Sequence, residues 1–224
     1  MIKSKCHSDY PPEEGRYLRG NDTSPVAVVI ILNHDEDKIP FEIKELVRAG
    51  IESGAALSGT LQTPNIGIEK LICNIVANPN IRYLILSGPE SEGHHTGDAL
   101  KALIRNGVNE KKYIIGTVAQ HPFLYNIPIE FIDRFRQQIT LIDLQFKGSK
   151  EIIIKAVWSC YQENPVDFAG YKLYDPGPFN KPALSGKIID RISEPWKLPK
   201  DEGEKNAIIK MQNLIEKIKK RKNK

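Results

Sequence analysis

Two histidines, two glutamates and three glycines fall within the stretch Gly88-Pro89-Glu90-Ser91-Glu92-Gly93-His94-His95-Thr96-Gly97-Asp98. An imidazole can ligate a transition metal through either ring nitrogen. A carboxylate accepting from the other nitrogen fixes the tautomer and raises ligand basicity. Gly88, Gly93 and Gly97 allow backbone conformations and close approaches that a β-carbon would block. From residue types alone, two readings stay open. One is a binding loop; as a metal-dependent hydrolase its whole site would have to come from His94, His95, Glu90 and Glu92. The other is a solvated loop in which Thr96 or Asp98 caps the next helix.

The elements on either side decide where this loop stands. Ile81-Arg82-Tyr83-Leu84-Ile85-Leu86 reads as a buried strand, and Leu100, Leu103 and Ile104 follow with helical spacing. In open α/β sheets, ligands bind at the carboxyl ends of parallel strands, which is where such a loop falls. Val26 to Leu32 is continuously apolar and reads as a central strand covered on both faces. Ile43, Leu46 and Val47 suggest a short helix, and Ala55-Ala56-Leu57 a short strand. Thr63-Pro64 opens a helix with Ile68, Leu71, Ile72, Ile75 and Val76 on one stripe, ended by Asn78-Pro79. The helix after the loop stops at Asn106-Gly107. Tyr113 to Val118 is a further apolar run read as a strand. Pro128 starts a helix bearing Ile132, Phe135 and Ile139, and Thr140 to Leu144 is another strand.

Alternation of strands and helices predicts a Rossmann-like three-layer α/β sandwich with a mainly parallel sheet, its loops on one edge. We read residues 1–20 as a flexible arm, 21–147 as the ligand-binding domain, and 148–224 as a C-terminal α+β extension. Within that extension, 152–161 reads as helix, 171–179 as strand then turn, and Pro195 to Pro199 as a rigid connector. A basic amphipathic helix closes it at about 202–221.

The 224 residues, 40% hydrophobic, suffice for a real core. A net charge of +4 does not imply nucleic acid, and no nucleic-acid partner is expected. No stretch approaches the ~18 apolar residues of a membrane helix, and the N-terminus lacks a signal-peptide core. Three scattered cysteines, Cys6, Cys73 and Cys160, fit a reducing cytoplasm. There is no CxxC pair, no P-loop and no G-x-G-x-x-G after a strand. His34-Asp35-Glu36-Asp37 could hold a divalent cation, but a solvated turn explains it better. His121 reads as an ordinary loop residue or a border of the same edge, and His95 as solvent-facing or a secondary contact.

Gly88-x-Glu90-x-x-Gly93-His94-x-Thr96-Gly97 resembles the cofactor loop of the A subunit of tetrahydromethanopterin S-methyltransferase, a corrinoid-carrying family of methanogenic archaea. Ser24-Pro25-Val26-Ala27-Val28-Val29, Asn65 to Lys70, Asn78 to Leu86, Asn126-Ile127-Pro128 and Arg134 to Gln138 extend the resemblance from about Gly15 to Leu144. It implies that His94 supplies the lower axial nitrogen to the cobalt of a cobalamin-type corrinoid, oriented by Glu90 or Glu92. Glu92-Gly93-His94-His95-Thr96-Gly97 is similar in spacing to the Asp-x-His-x-x-Gly motif of other corrinoid methyltransferases. Further contacts to such an amide-decorated ligand are expected from Gly59, Thr60, Leu61 and Thr63, and from Gly116 and Thr117. A helix cap alone would equally explain Thr63, and close packing alone Gly116. By the same resemblance the protein would be a soluble methyl carrier, lacking the family's membrane anchor. It would work with methyl-donor and methyl-acceptor proteins, between a tetrahydropterin and a thiol such as coenzyme M. Two other functions stay open: a small-molecule binding module without cobalt, and a scaffold acting through the Lys217-Ile218-Lys219-Lys220-Arg221-Lys222 tail.

Overall fold

In the computed structural model the described residues are 2–33, 39–195, 197, 199 and 201–222, without the side chains of 212, 215, 216 and 218–222. The elements in chain order are Tyr17–Arg19 (β1), Val26–Ile31 (β2), Phe41–Glu52 (α1), Leu57–Leu61 (β3), Ile66–Val76 (α2), Tyr83–Ser87 (β4) and Thr96–Asn106 (α3). Ile129–Gln138 (α4), Thr140–Asp143 (β5), Lys150–Ser159 (α5), Val166–Phe168 (β6), Tyr171–Leu173 (β7) and Glu202–Lys222 (α6) follow.

Six successive aliphatic side chains put β2 at the centre of a five-stranded sheet ordered β1-β3-β2-β4-β5. β2 runs parallel to β3 with Val28 opposite Ser58, and parallel to β4 with Val28 opposite Ile85. β4 and β5 are also parallel; only the edge strand β1 is antiparallel, pairing Tyr17 with Gly59. Both faces of β2 are covered. Ala27, Val29 and Ile31 share a core with residues of α2, α3 and α4. Val26, Val28, Ile30 and Leu32 share another with residues of α1 and α5. Each fully buried side chain of this size contributes about 1.5–3 kcal/mol, so the two cores hold the sheet edge rigid. From β2 the chain steps to β3 on one side, then crosses back to β4 and on to β5. Strand order therefore reverses between β2 and β4.

Two expectations are corrected. Part of the stretch read as an arm is structured: β1 lies at 17–19 and Tyr10 is buried. Asn74 receives the Glu13 N–H (2.8 Å) and donates to the Glu13 carbonyl (3.0 Å), so a side-chain amide does the work of a strand ladder. The run Tyr113–Val118 does not join the sheet; it makes only the bridges Val108↔Ile114 and Tyr113↔Phe123 among the described residues. Left-handed backbone at Gly116 interrupts the extended run, and the same conformation at Lys112 and His121 flanks it.

Met1–Ile188 form one compact unit and Ile189–Lys224 a second. The first therefore includes α5 and the β6–β7 hairpin, whose Ile153 and Leu173 are core residues. In the second, α6 exposes Ile208, Ile209, Met211 and Leu214.

Candidate functional site at the carboxyl edge of the sheet

A strand-order reversal leaves a crevice at the carboxyl ends of the two strands concerned, because their connections leave in opposite directions. Here those strands are β2 and β4, and the loop after β4 carries His94. The Glu92 N–H donates across the crevice to Asn33 Oδ1 at the end of β2 (2.7 Å).

Glu90 organises the loop. Its Oε1 accepts from the N–H groups of Ser91 and Gly97 (both 2.8 Å), and its Oε2 from the Asp98 N–H (2.9 Å) and Gln145 Nε2 (3.2 Å). A carboxylate thus closes the free amino end of α3, where the helix dipole also favours negative charge. Burial pushes this carboxyl up, but the donors from Gly97, Ser91, Gln145 and Asp98 outweigh it and hold the pKa below the ordinary value.

Ser91 is the second anchor. Its carbonyl accepts from the N–H groups of His94 (3.2 Å) and His95 (2.8 Å), and its Oγ accepts from the Thr96 N–H (2.9 Å). The Ser91 hydroxyl donates to Thr96 Oγ1 (2.8 Å), whose own hydroxyl donates to the Gln62 carbonyl (2.7 Å). The loop after β3 is thereby tied to the loop after β4. His94 stands exposed on the turn between these anchors. Its ring has no hydrogen-bond partner among the described residues, so neither Glu90 nor Glu92 orients it there. His95, half-buried with φ 50°, takes the helix-capping position without a side-chain cap bond.

Gly97 is needed for close approach: a β-carbon would lie 2.3 Å from Gln145 Nε2. Gln145 is itself buried and fixed at its other end by Lys101 Nζ (2.7 Å). A β-carbon on Gly93 would meet nothing within 4 Å, so the turn has open space beside it.

The other sequence candidates divide in two. Gly59, Thr60, Leu61 and Thr63 line a cavity of about 460 Å³ between β3 and α2, which Arg16 and Lys70 also border. His94 is not among its lining residues. Within it, Thr63 Oγ1 accepts from the Gly67 N–H (2.9 Å), and Gly59 lets β1 approach, a β-carbon there being 2.5 Å from that of Tyr17. Gly116 lies beside Asn106 at the end of α3, a β-carbon there being 2.7 Å from its Nδ2, whereas Thr117 reaches the loop by another route. Asp98 Oδ2 accepts from the Thr117 hydroxyl (2.6 Å) and the Val118 N–H (2.9 Å). Gly88 and Gly93 both take positive φ.

His121 is exposed with φ 54°. The His34-Asp35-Glu36-Asp37 turn lies outside the described residues. Among those described, no three His, Cys, Asp or Glu converge as metal ligands, and no helix is long and apolar enough to cross a membrane. The sequence reading missed Ser91, Gln145 and Asn33. Gly97 hinted at a close neighbour, but nothing local names one that is 48 positions away.

These features define an α/β domain with a hydrogen-bonded, histidine-bearing loop at a sheet switch point. The sequence profile of the tetrahydromethanopterin S-methyltransferase A subunit matches residues 3–173. The A 2 subunit of that enzyme from Methanobrevibacter ruminantium is 39% identical over 187 residues, 83% of this chain and 86% of the relative. The A 1 subunit from the same organism is 37% identical over 95% of this chain and 76% of its own length. The A 2 subunit from Methanothermobacter marburgensis is 46% identical over 63% of this chain and 71% of its own length. The chain belongs to the family of tetrahydromethanopterin S-methyltransferase A subunits.

Proposed function

We propose that this chain is the corrinoid-binding methyl carrier of a methyltransferase system, a Rossmann-like three-layer domain in which His94 would hold the cobalt through a ring nitrogen. The observation that carries the reading is His94 itself: an exposed imidazole with no hydrogen-bond partner among the described residues, held by Ser91 on a rigid turn at the β2/β4 switch point. A corrinoid would bring most of the cobalt's ligands itself, so the protein need add only one, which His94 would supply. The residues fit that demand better than they fit a self-sufficient chelate. The open space beside Gly93 leaves room for a flat ligand to approach the backbone.

When bound, the cobalt would carry the methyl group. This chain's own residues present and orient. Glu90 and Ser91 hold the turn, and Thr96 joins it to the loop bearing Thr63. Glu92 is available to order the ring once a ligand is in place. The donor and acceptor proteins of the system would bring a methyl-tetrahydropterin and a thiol, as the relatives' names suggest for tetrahydromethanopterin. A reducing cytoplasm suits its three unpaired cysteines.

The test is a corrinoid titration of the purified protein, read by absorbance and by electron paramagnetic resonance of the Co(II) form. Uptake is expected, with nitrogen coupling lost in His94→Ala and kept in His95→Ala. Folded wild-type protein that takes up no corrinoid would overturn the reading. The about 460 Å³ cavity beside β3 would then be the first place to seek a different small ligand.

A further inference from the structure

Two of the most exposed apolar side chains are fastened to opposite ends of the His94 loop. Phe146 is 72% exposed, and its N–H donates to the carbonyl of Gly88, the residue that opens the loop (3.0 Å). Val118 is 71% exposed, and its N–H donates to Asp98 Oδ2 in the helix turn that closes the loop (2.9 Å). Neither placement follows from folding alone. Phe146 adopts left-handed backbone, φ 64°, which is unfavourable for a bulky residue, while its ring stays in water. Its neighbours on the N-terminal side, Leu144 and Gln145, are buried, and Gln145 binds Glu90. The strained residue is therefore held in place by the network that fixes the loop. Strain held by its surroundings, with an apolar ring left exposed, is characteristic of a contact residue.

We propose that Phe146 and Val118 are the apolar contacts that grip the flat ligand held at His94, one at each end of the loop. This rests on the corrinoid reading above. Between its amide arms a corrin carries ring methyl groups, and covering two exposed apolar side chains with them adds affinity without any polar partner.

The experiment compares Phe146→Gly, Phe146→Asn and Val118→Thr with the wild type, full-length in each case. Cobalamin affinity is measured by absorbance titration, and the melting temperature is measured without ligand. Glycine and asparagine both accept left-handed backbone, so at least one Phe146 variant keeps the fold while losing the ring. We expect cobalamin affinity to fall about ten-fold in the Phe146 variants and less in Val118→Thr, from the apolar area no longer buried. The ligand-free melting temperature should be unchanged or raised in Phe146→Gly, because strain is relieved. A purely structural role for Phe146 would instead lower that temperature. Unchanged affinity in folded Phe146 variants would overturn this proposal alone, leaving the His94 reading intact. Absence of uptake by the wild type would overturn both.

Discussion

Glu90, Gly97 and Gln145 meet at one point, and their coupling can be measured. A methyl at position 97 would have to displace the Gln145 amide, which is buried and bonded at both ends. Gly97→Ala should therefore cost about 1–3 kcal/mol. Removing the amide first, in Gln145→Ala, makes room for the methyl. The double variant should be more stable than the sum of the two losses implies, as urea unfolding would show. Additive losses would mean that the methyl is accommodated elsewhere. Glu90 makes a second prediction, in pH. Its native pKa is depressed, so on acidification the unfolded chain takes the proton first. The stabilisation is complete above the ordinary carboxylate range and fades as pH falls through the depressed native value. Glu90→Gln should cost about 1 kcal/mol at neutral pH. Its deficit should shrink when unfolding is measured near pH 3.5, and a constant deficit would remove Glu90's charge from the account. At this scale residue types alone drew attention to the loop that carries His94 and its glycines. The sequence offered Glu90 or Glu92 to orient the histidine; it did not show that Glu90 closes α3, a role it shares with Gln145, 55 positions away.

Helix α2 shows how an element fixes a segment far along the chain. Glu69, fully buried, accepts the Asn126 N–H at Oε1 (2.6 Å) and the Asn126 amide at Oε2 (2.8 Å), just before α4 begins. Burial raises its pKa and outweighs the lowering by Asn126. The native state holds this proton more readily than the unfolded chain, so this group's contribution declines as pH rises from the ordinary carboxylate range through the raised native value. Its sign is opposite to that of Glu90. Glu69→Ala should cost about 1–3 kcal/mol by taking the Glu69 acceptor away from the half-buried Asn126 donors. Glu69→Gln keeps one acceptor oxygen and no charge, so it should cost less and lose that pH dependence; equal losses in the two variants would deny Glu69 this bonding role. The strong elements were legible because their patterns are long: the apolar run of β2 and the stripe of α2 predicted what is found. β1 was not, since three half-exposed or exposed residues show no alternation. The 113–118 run was misread because left-handed backbone at Gly116 breaks it, so that it pairs only through isolated bridges among the described residues. Parallel pairing followed from the alternation of elements, but the reversal between β2 and β4, which locates the crevice, is settled by tertiary packing.

At the scale of the whole chain, the distribution of buried surface predicts what can be removed. Every residue of the two core clusters lies at or before Ile188. Ile188 is itself buried, and its N–H donates to Glu13 Oε1 (2.5 Å), so the N-terminal segment and the end of the first unit close on each other. Beyond it, α6 keeps Ile208, Ile209, Met211 and Leu214 exposed. Apolar groups that stay in water add nothing to the hydrophobic term, whatever their helical periodicity. A chain ending at Ile188 should therefore melt within about 2 °C of the full-length protein. It should bind cobalamin with the same affinity and retain the His94→Ala effect, since no residue assigned to the site lies past Phe146. Scanning calorimetry and the same absorbance titration would check both points. A drop of more than about 5 °C, well over 1 kcal/mol for a domain of this size, would mean that residues past 188 support the core directly. Loss of binding at unchanged melting temperature would instead assign those residues a share of the ligand site.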